Sequence, residues 1–177
     1  MNPRIVFSVG MLLLVSACAT APAAPVPTAP PPQTSSGTAA FRTSDFAWST
    51  APGAGRIDGQ LSYAPGGRTH SCAEAGVLLT PETPWVRSRM NILYSSIDKA
   101  TLPADEVRRR TPPERSQDYS AFVRRTTCDA VGRFTFSGLP DGTWYVITVA
   151  RPAGGGADMA IMRRVTTKGA KVVKVTL

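Results

Sequence analysis

Apolar and polar residues alternate with a period of two along the second half of the chain, a pattern typical of β-strands whose two faces meet different surroundings. Phe134 and Phe136 alternate with polar residues, and the turn Pro140–Gly142 follows. Beyond it, Trp144–Val149 is rich in aromatic and β-branched residues, so both of its sides are expected to be at least partly buried. The pattern predicts two strands joined by a tight turn, because proline fixes φ and glycine adopts positive φ readily.

Similar patterns predict five more strands. They lie at Arg56–Tyr63, Ala75–Leu79, Tyr119–Thr127, Met159–Thr166 and Lys171–Leu177. Together with the two central strands they make about seven, the number typical of an immunoglobulin-like sandwich. The sequence therefore predicts a mainly β fold.

One segment departs from the period of two. Thr83 is a typical N-cap residue, and Pro84 is a typical first residue of a helix. Apolar residues then recur at helical spacing, at Val86, Met90, Leu93 and Ile97. We expect an amphipathic helix over Pro84–Ser95, inserted between strands, and at most one further helical turn at Ala104–Arg109.

The central stretch resembles the signature of carboxypeptidase regulatory-like domains. The matching residues are Asp129, Gly132, Phe134, Phe136, Leu139, Pro140, Gly142 and Tyr145. The resemblance implies a transthyretin-like β-sandwich with immunoglobulin-type Greek-key topology, here with seven strands and one inserted helix. It implies no peptidase activity, because the zinc ligands of metallocarboxypeptidases belong to a different domain.

The N-terminus has the features of a bacterial lipoprotein signal peptide. Arg4 precedes the apolar run Ile5–Val15, which is shorter than the about 20 residues needed to span a bilayer. Val15-Ser16-Ala17-Cys18 resembles the lipobox, after which the cysteine becomes the acylated mature N-terminus. The resemblance implies cleavage after residue 17, lipid on Cys18 including an N-acyl chain such as palmitate, and anchoring in the outer membrane.

Residues 18–40 are rich in proline and alanine and cannot bury a core, so we expect an extended linker. Residues 41–177 then have the size of one ordinary domain.

The formal charge of +8 includes 16 Arg and only 4 Lys. Arginine favours planar, bidentate partners, so anionic lipid headgroups, phosphorylated sugars or an acidic protein are expected partners. The alternative is a solvated surface that binds nothing. Nucleic acid is not an expected partner of an exported lipoprotein.

The two remaining cysteines, Cys72 and Cys128, form an even pair in an oxidising compartment, which favours a disulfide. The alternative is a metal site formed by His70, Cys72 and Cys128. Because zinc ligands usually come in closely spaced pairs, the disulfide is the preferred prediction.

The sequence contains no enzyme motif. His70 is its one histidine, and neither a G-x-S-x-G motif nor a phosphate-binding G-x-x-x-x-G-K-S/T loop occurs. We therefore expect a non-enzymatic protein without a cofactor, although a catalytic site formed only by the fold stays a third possibility.

Two binding functions remain open. In the first, the domain binds a protein partner or helps stabilise an envelope assembly through Trp85, Arg87, Arg89 and Tyr94, since aromatics and arginine are favoured in interfaces. The alternative for these residues is a structural helix that closes one end of the sandwich. In the second, the domain binds carbohydrate, with Trp48, Trp85 and Trp144 as candidate stacking residues, because regulatory-like sandwiches resemble starch-binding domains.

Overall fold

The computed structural model describes residues 39–111 and 119–177, which form two β-sheets packed face to face with helices on one outer surface. The strands are β1 (Gly55–Gln60), β2 (His70–Ser71), β3 (Gly76–Pro81), β4 (Lys99–Pro103), β5 (Arg124–Thr127), β6 (Arg133–Leu139), β7 (Gly142–Pro152), β8 (Met159–Thr167) and β9 (Val172–Thr176). The helices are α1 (Pro84–Tyr94) and α2 (Ala104–Arg109), with short 3-10 segments at Thr43–Thr50, Pro65–Gly67 and Ser120–Phe122. The predicted mainly β sandwich is confirmed.

The smaller sheet has the strand order β6-β1-β9, with β1 antiparallel to β6 and parallel to β9. The larger sheet is antiparallel and has the order β4-β8-β7-β3-β5. β2 continues along the same edge of β7 as β3, since His70 lies opposite Pro152 and Val77 lies opposite Thr148. One long edge is therefore interrupted between Ser71 and Gly76.

The space between the sheets is filled by the alternate residues that the pattern predicts. Phe134 and Phe136 of β6 and Trp144 and Val146 of β7 are all buried there. Gly59 of β1 provides the room, because a Cβ at this position would lie 2.0 Å from the Phe134 ring. An alanine at this position would therefore displace a buried aromatic ring.

The other face of the larger sheet is covered by α1. Tyr145 and Met162 on the sheet pack with Trp85 and Met90 of the helix in a second buried cluster. The helix begins as expected: the Thr83 hydroxyl accepts a hydrogen bond from the Val86 N–H at 3.1 Å. Both faces of β7 are therefore buried, which explains its continuous apolar and aromatic sequence.

Cys72 and Cys128 form a disulfide, with their Cα atoms 5.7 Å apart. Cys72 lies in the interruption between β2 and β3, and the Cys128 backbone N–H donates to the Ala75 carbonyl at 3.0 Å. The bond therefore joins the interrupted edge to the end of β5.

The structure differs from the sequence prediction in three elements. The described residues contain nine strands rather than seven, because β2 and β4 are short and lack a clear alternation. The strand predicted to start at Tyr119 starts at Arg124, because Ser120–Phe122 forms a 3-10 turn. This turn stacks the Phe122 ring on the Phe46 ring, with a centroid separation of 4.7 Å. α2, in contrast, has the bounds of the predicted helical turn, Ala104–Arg109.

Candidate ligand-binding cleft

An open cleft lies at one end of the sandwich, where the loop after β1 meets the loop between β7 and β8. Its volume is about 440 Å³, within the roughly 300–1,000 Å³ that is usual for small-molecule sites. It is lined by Tyr63, Pro65, Gly66, Arg68, His70, Pro152, Ala157 and Met159. An aromatic ring, apolar side chains and a few hydrogen-bonding groups are the composition expected of a site for a small polar ligand.

A tight turn brings Tyr63 and His70 together. Gly66 and Gly67, within the 3-10 turn, have φ values of 58° and 78°, in the left-handed region that favours glycine. The backbone N–H of His70 donates to the Tyr63 carbonyl at 3.0 Å. The Pro-Gly-Gly sequence therefore places an aromatic ring and an imidazole on one surface.

The two rings of the cleft are held in fixed positions. The Tyr63 and His70 ring centroids lie 4.8 Å apart with an interplanar angle of 62°, an edge-to-face arrangement. Tyr63 also packs against the core between the sheets. The core therefore supports one side of the Tyr63 ring, and the side chain as a whole stays partly exposed.

The imidazole of His70 is oriented by a backbone carbonyl. Its Nδ1 lies 3.0 Å from the Arg68 carbonyl oxygen. Because a carbonyl oxygen only accepts, Nδ1 carries the proton of this bond, and Nε2 of the neutral ring is an acceptor. In the described part of the chain Nε2 has no hydrogen-bond partner, so it is available to a ligand.

The lining of the cleft offers groups that can hold a small polar ligand. None of the eight lining residues carries a carboxylate, and Arg68 supplies an exposed cation. The pair of carboxylates that most glycosidases use is therefore not among them. A ligand ring can instead pack on Tyr63 while its polar groups hydrogen-bond with His70 and Arg68.

Two of the four residues predicted to contact a partner are buried in the structure. Trp85 and Tyr94 of α1 are 9% and 5% exposed. The Trp85 ring packs edge-on against Phe41 and Tyr119, with centroid separations of 5.3 and 5.0 Å. Burial raises the pKa of Tyr94 to about 12. This corrects the prediction, because both rings hold α1 against the molecule and cannot contact a partner directly.

The other two predicted contacts, Arg87 and Arg89, already have partners within the chain. Arg87 Nη1 donates to Glu82 Oε1 at 2.7 Å. The Arg89 guanidinium carbon lies 5.4 Å from the Trp85 ring centroid and 5.8 Å from that of Tyr119. Their role in binding a partner stays a prediction.

The tryptophans proposed as sugar-stacking residues serve packing. Trp144 is fully buried, as expected, and Trp48 packs edge-on against it with a centroid separation of 4.8 Å. The Trp48 ring also lies against Gly142, where an added Cβ would be 2.1 Å from it. Trp85, on the buried side of α1, is also enclosed, and the aromatic residue of the cleft is Tyr63 instead.

The alternative metal site at His70, Cys72 and Cys128 is wrong, because the disulfide consumes both thiols. In residues 39–111 and 119–177, no group of three or more His, Cys, Asp or Glu side chains is placed to hold a metal ion.

A second depression, of about 470 Å³, lies on the outer face of the smaller sheet. Asp58, one of its lining residues, accepts hydrogen bonds from Arg56 at 2.7 Å and Thr135 at 3.0 Å. The Arg56 side chain also holds the pKa of Asp58 below its usual range. These polar groups already form hydrogen bonds with one another, so this surface has fewer hydrogen-bonding groups available to a ligand than the cleft has.

The predicted signal peptide, Cys18 and all but the last two residues of the predicted linker lie outside the described residues. Among the helices that the structure describes, none is long and apolar enough to cross a membrane.

Neither a protein-family model nor a curated protein matches the chain. Among solved structures, the chain is similar to a candidate carbohydrate-binding protein from Pseudomonas aeruginosa, with a TM-score of 0.56 and 24% sequence identity. The match covers 80% of this chain and 100% of that chain. At this identity the likeness shows a shared β-sandwich fold, and the resemblance to carboxypeptidase regulatory-like domains stays a prediction.

Sequence reasoning missed the cleft. Tyr63 alternates with Ile57 and Leu61, so the pattern places it on the core face of a strand. His70 is a candidate only as a metal ligand. The available signal was the position of two glycine-rich loops, Pro65–Gly67 and Gly154–Gly156, at the ends of predicted strands.

Proposed function

We propose that the protein is a lipid-anchored, non-enzymatic protein of the bacterial cell envelope that binds glycan in the cleft at Tyr63 and His70. The observation that carries this proposal is the supported Tyr63 ring beside the His70 Nε2 acceptor, which no described residue pairs with. The described similarity gives further support, since a protein of the same fold is itself a candidate carbohydrate-binding protein.

The chemistry of a pyranose fits this arrangement. One face of the sugar ring carries C–H groups and its rim carries hydroxyls. The C–H face packs on the Tyr63 ring, a hydroxyl donates to His70 Nε2, and the Arg68 guanidinium donates to a sugar oxygen. Pro152 and Met159 then cover the apolar edge of the bound sugar.

The protein-partner function expected from the inserted helix has less support. Of the four residues that it used, Trp85 and Tyr94 lie inside the molecule, and the two arginines are engaged with Glu82 and with the Trp85 and Tyr119 rings.

Sedimentation of the purified full-length chain with protein-stripped peptidoglycan and lipopolysaccharide tests the proposal. We expect saturable binding to one of them that persists at moderate salt, unlike simple attraction to an anionic surface. Tyr63→Leu should weaken this binding at least about tenfold, equivalent to ~1.4 kcal/mol, whereas Tyr63→Phe, which keeps the ring, should retain it. Absence of binding to either glycan, or equal binding by both variants, would overturn the proposal.

The anchor is tested separately through Cys18. The full-length chain should fractionate with membranes and incorporate labelled palmitate, because two or more acyl chains hold a protein stably to a bilayer. Cys18→Ser should remove the label and move the protein to the soluble fraction. A variant that remains membrane-bound would contradict lipid anchoring at this residue.

A further inference from the structure

Two cations face each other on the strand pair β4–β8. Lys99 and Arg163 are direct register partners, and side chains opposite each other in an antiparallel pair have Cβ atoms about 4.5–5.5 Å apart. They share a face, because Ala100 and Met162, the next residues on their strands, both pack on the opposite face beneath the helices. Like charges placed in this way repel each other.

The nearby carboxylates do not neutralise this pair. Arg164 points to the opposite face of β8, where its Nε lies 2.5 Å from Glu82 Oε2 and its Nη1 lies 4.0 Å from Asp98 Oδ1. The carboxylates of Glu82 and Asp98 therefore pair with Arg164. In the described part of the chain, neither Arg163 nor Lys99 makes an ion pair.

Arg163 also carries an unsatisfied donor. Its Nε is buried and has no hydrogen-bond partner among the described residues, although a buried donor without a partner is unfavourable. Beside it lies a depression of about 250 Å³ lined by Lys99, Ala100, Thr101, Ile161, Met162 and Arg163. Two facing cations, a missing hydrogen-bond acceptor and an adjacent space together favour an anion at this point.

We propose that Lys99 and Arg163 bind a carboxylate or phosphate group. A planar guanidinium binds either group in a bidentate manner, and an adjacent ammonium adds a second positive charge. The bound anion removes the repulsion between the two cations and supplies an acceptor for Arg163 Nε.

The anion site lies on the same strand as the proposed sugar cleft. Met159 of the cleft, Ile161 and Arg163 are alternate residues of β8, and four residues of a strand span about 13 Å. This separation suits a short oligosaccharide that occupies both places. The ligand class is then an acidic glycan; this extension rests on the proposed function, whereas the anion site does not.

Amide chemical shifts of the full-length chain, measured at constant ionic strength, test the site with three probes. The probes are inorganic phosphate, trigalacturonate, and the methyl ester of trigalacturonate, which is neutral and of equal length. We expect phosphate, trigalacturonate or both to shift the amides of Lys99 and Arg163, depending on which anion the site prefers, and the neutral ester to leave them in place. Arg163→Gln should weaken binding of the anionic probe at least about tenfold, whereas Arg125→Gln, which removes an exposed cation from β5, should not.

The outcomes separate the two proposals. If neither anionic probe shifts the Lys99 and Arg163 amides, or if both variants bind alike, the anion site is overturned. Shifts at these amides without any glycan response at Tyr63 and His70 would support the anion site and count against the acidic-glycan extension. A response at both places with trigalacturonate, and only at the cleft with its ester, supports the full inference.

Discussion

The Thr167 hydroxyl joins three parts of the buried core. It accepts a hydrogen bond from Trp144 Nε1 at 3.1 Å. It donates its own proton to the Pro140 carbonyl oxygen at 2.7 Å, and the Gly142 carbonyl oxygen lies 3.2 Å away. Because Trp144 is fully buried, this hydroxyl is what allows an indole N–H in the sandwich interior.

Replacing Thr167 with valine removes the acceptor but keeps the side-chain volume. We expect a loss of about 1–3 kcal/mol in the free energy of unfolding, because Trp144 Nε1–H is left without a partner. Thr166→Val, one residue away and exposed, should change stability by no more than about 0.5 kcal/mol. Chemical denaturation of both variants measures the difference, and equal values would contradict the role of this hydroxyl.

Asp129 organises the turn before β6. Its Oδ1 accepts hydrogen bonds from the backbone N–H groups of Arg133 at 2.7 Å and Val131 at 3.0 Å. The Arg133 N–H first, and then the Arg133 side chain and the Val131 N–H, hold the pKa of this carboxyl below its usual range. The charged form is therefore favoured in the folded protein.

This lowered pKa predicts a pH dependence. The unfolded state has the ordinary aspartate pKa of about 3.9 and takes up the proton first, so the stabilisation is present above that pH and is lost as pH falls through the folded pKa. Asp129→Asn, which cannot ionise, should destabilise the protein near neutral pH and show a smaller difference from wild type at low pH. Melting temperatures measured from about pH 3 to 7 check this, and a constant difference across that range would contradict it.

Among the elements, the interrupted edge formed by β2 and β3 depends most on a covalent bond. The Cys72–Cys128 disulfide joins positions 56 residues apart, and restricting an unfolded loop of that length corresponds to roughly 4 kcal/mol. Replacing both cysteines with alanine should lower the free energy of unfolding by roughly that amount. Denaturation of the double variant beside reduced wild type measures it, and a loss below about 1 kcal/mol would show that the edge is held by its strand pairing alone.

The elements also show which features the sequence reveals. α1 was predicted within one residue because its signals are local: Thr83 caps it, Pro84 starts it and Met90 lies on its apolar face. β2 could not be predicted, since two residues become a strand only by pairing with the end of β7. The burial of Trp85 was also not predicted, because helical spacing indicates the apolar face of a helix without showing what covers that face.

At the scale of the whole molecule, the two faces of the larger sheet have different roles. One face is closed by α1 and the aromatic residues around it, which explains why Trp85 and Tyr94 of the predicted docking surface are inside. The other face packs on a smaller sheet of only three strands. The loops at the end of this sandwich leave the Tyr63 ring and His70 accessible in the cleft.

The fold was therefore predictable from alternation along the chain, whereas the cleft was not. The cleft brings Tyr63 next to Pro152 and Met159, which lie about ninety positions later in the sequence. These residues meet only because loops gather at one end of a sandwich. No local sequence pattern indicates that residues so far apart in the chain come into contact.

Amide hydrogen exchange of the full-length chain, with and without solubilised peptidoglycan and lipopolysaccharide glycans, distinguishes glycan binding in the cleft from binding at α1. Exchange slows where a ligand covers or stabilises the backbone. We expect added protection in residues 61–70 and 152–159, which contain the two loops of the cleft, and little change in α1. Protection confined to α1 with an unchanged cleft would contradict this expectation and return the binding surface to the helix.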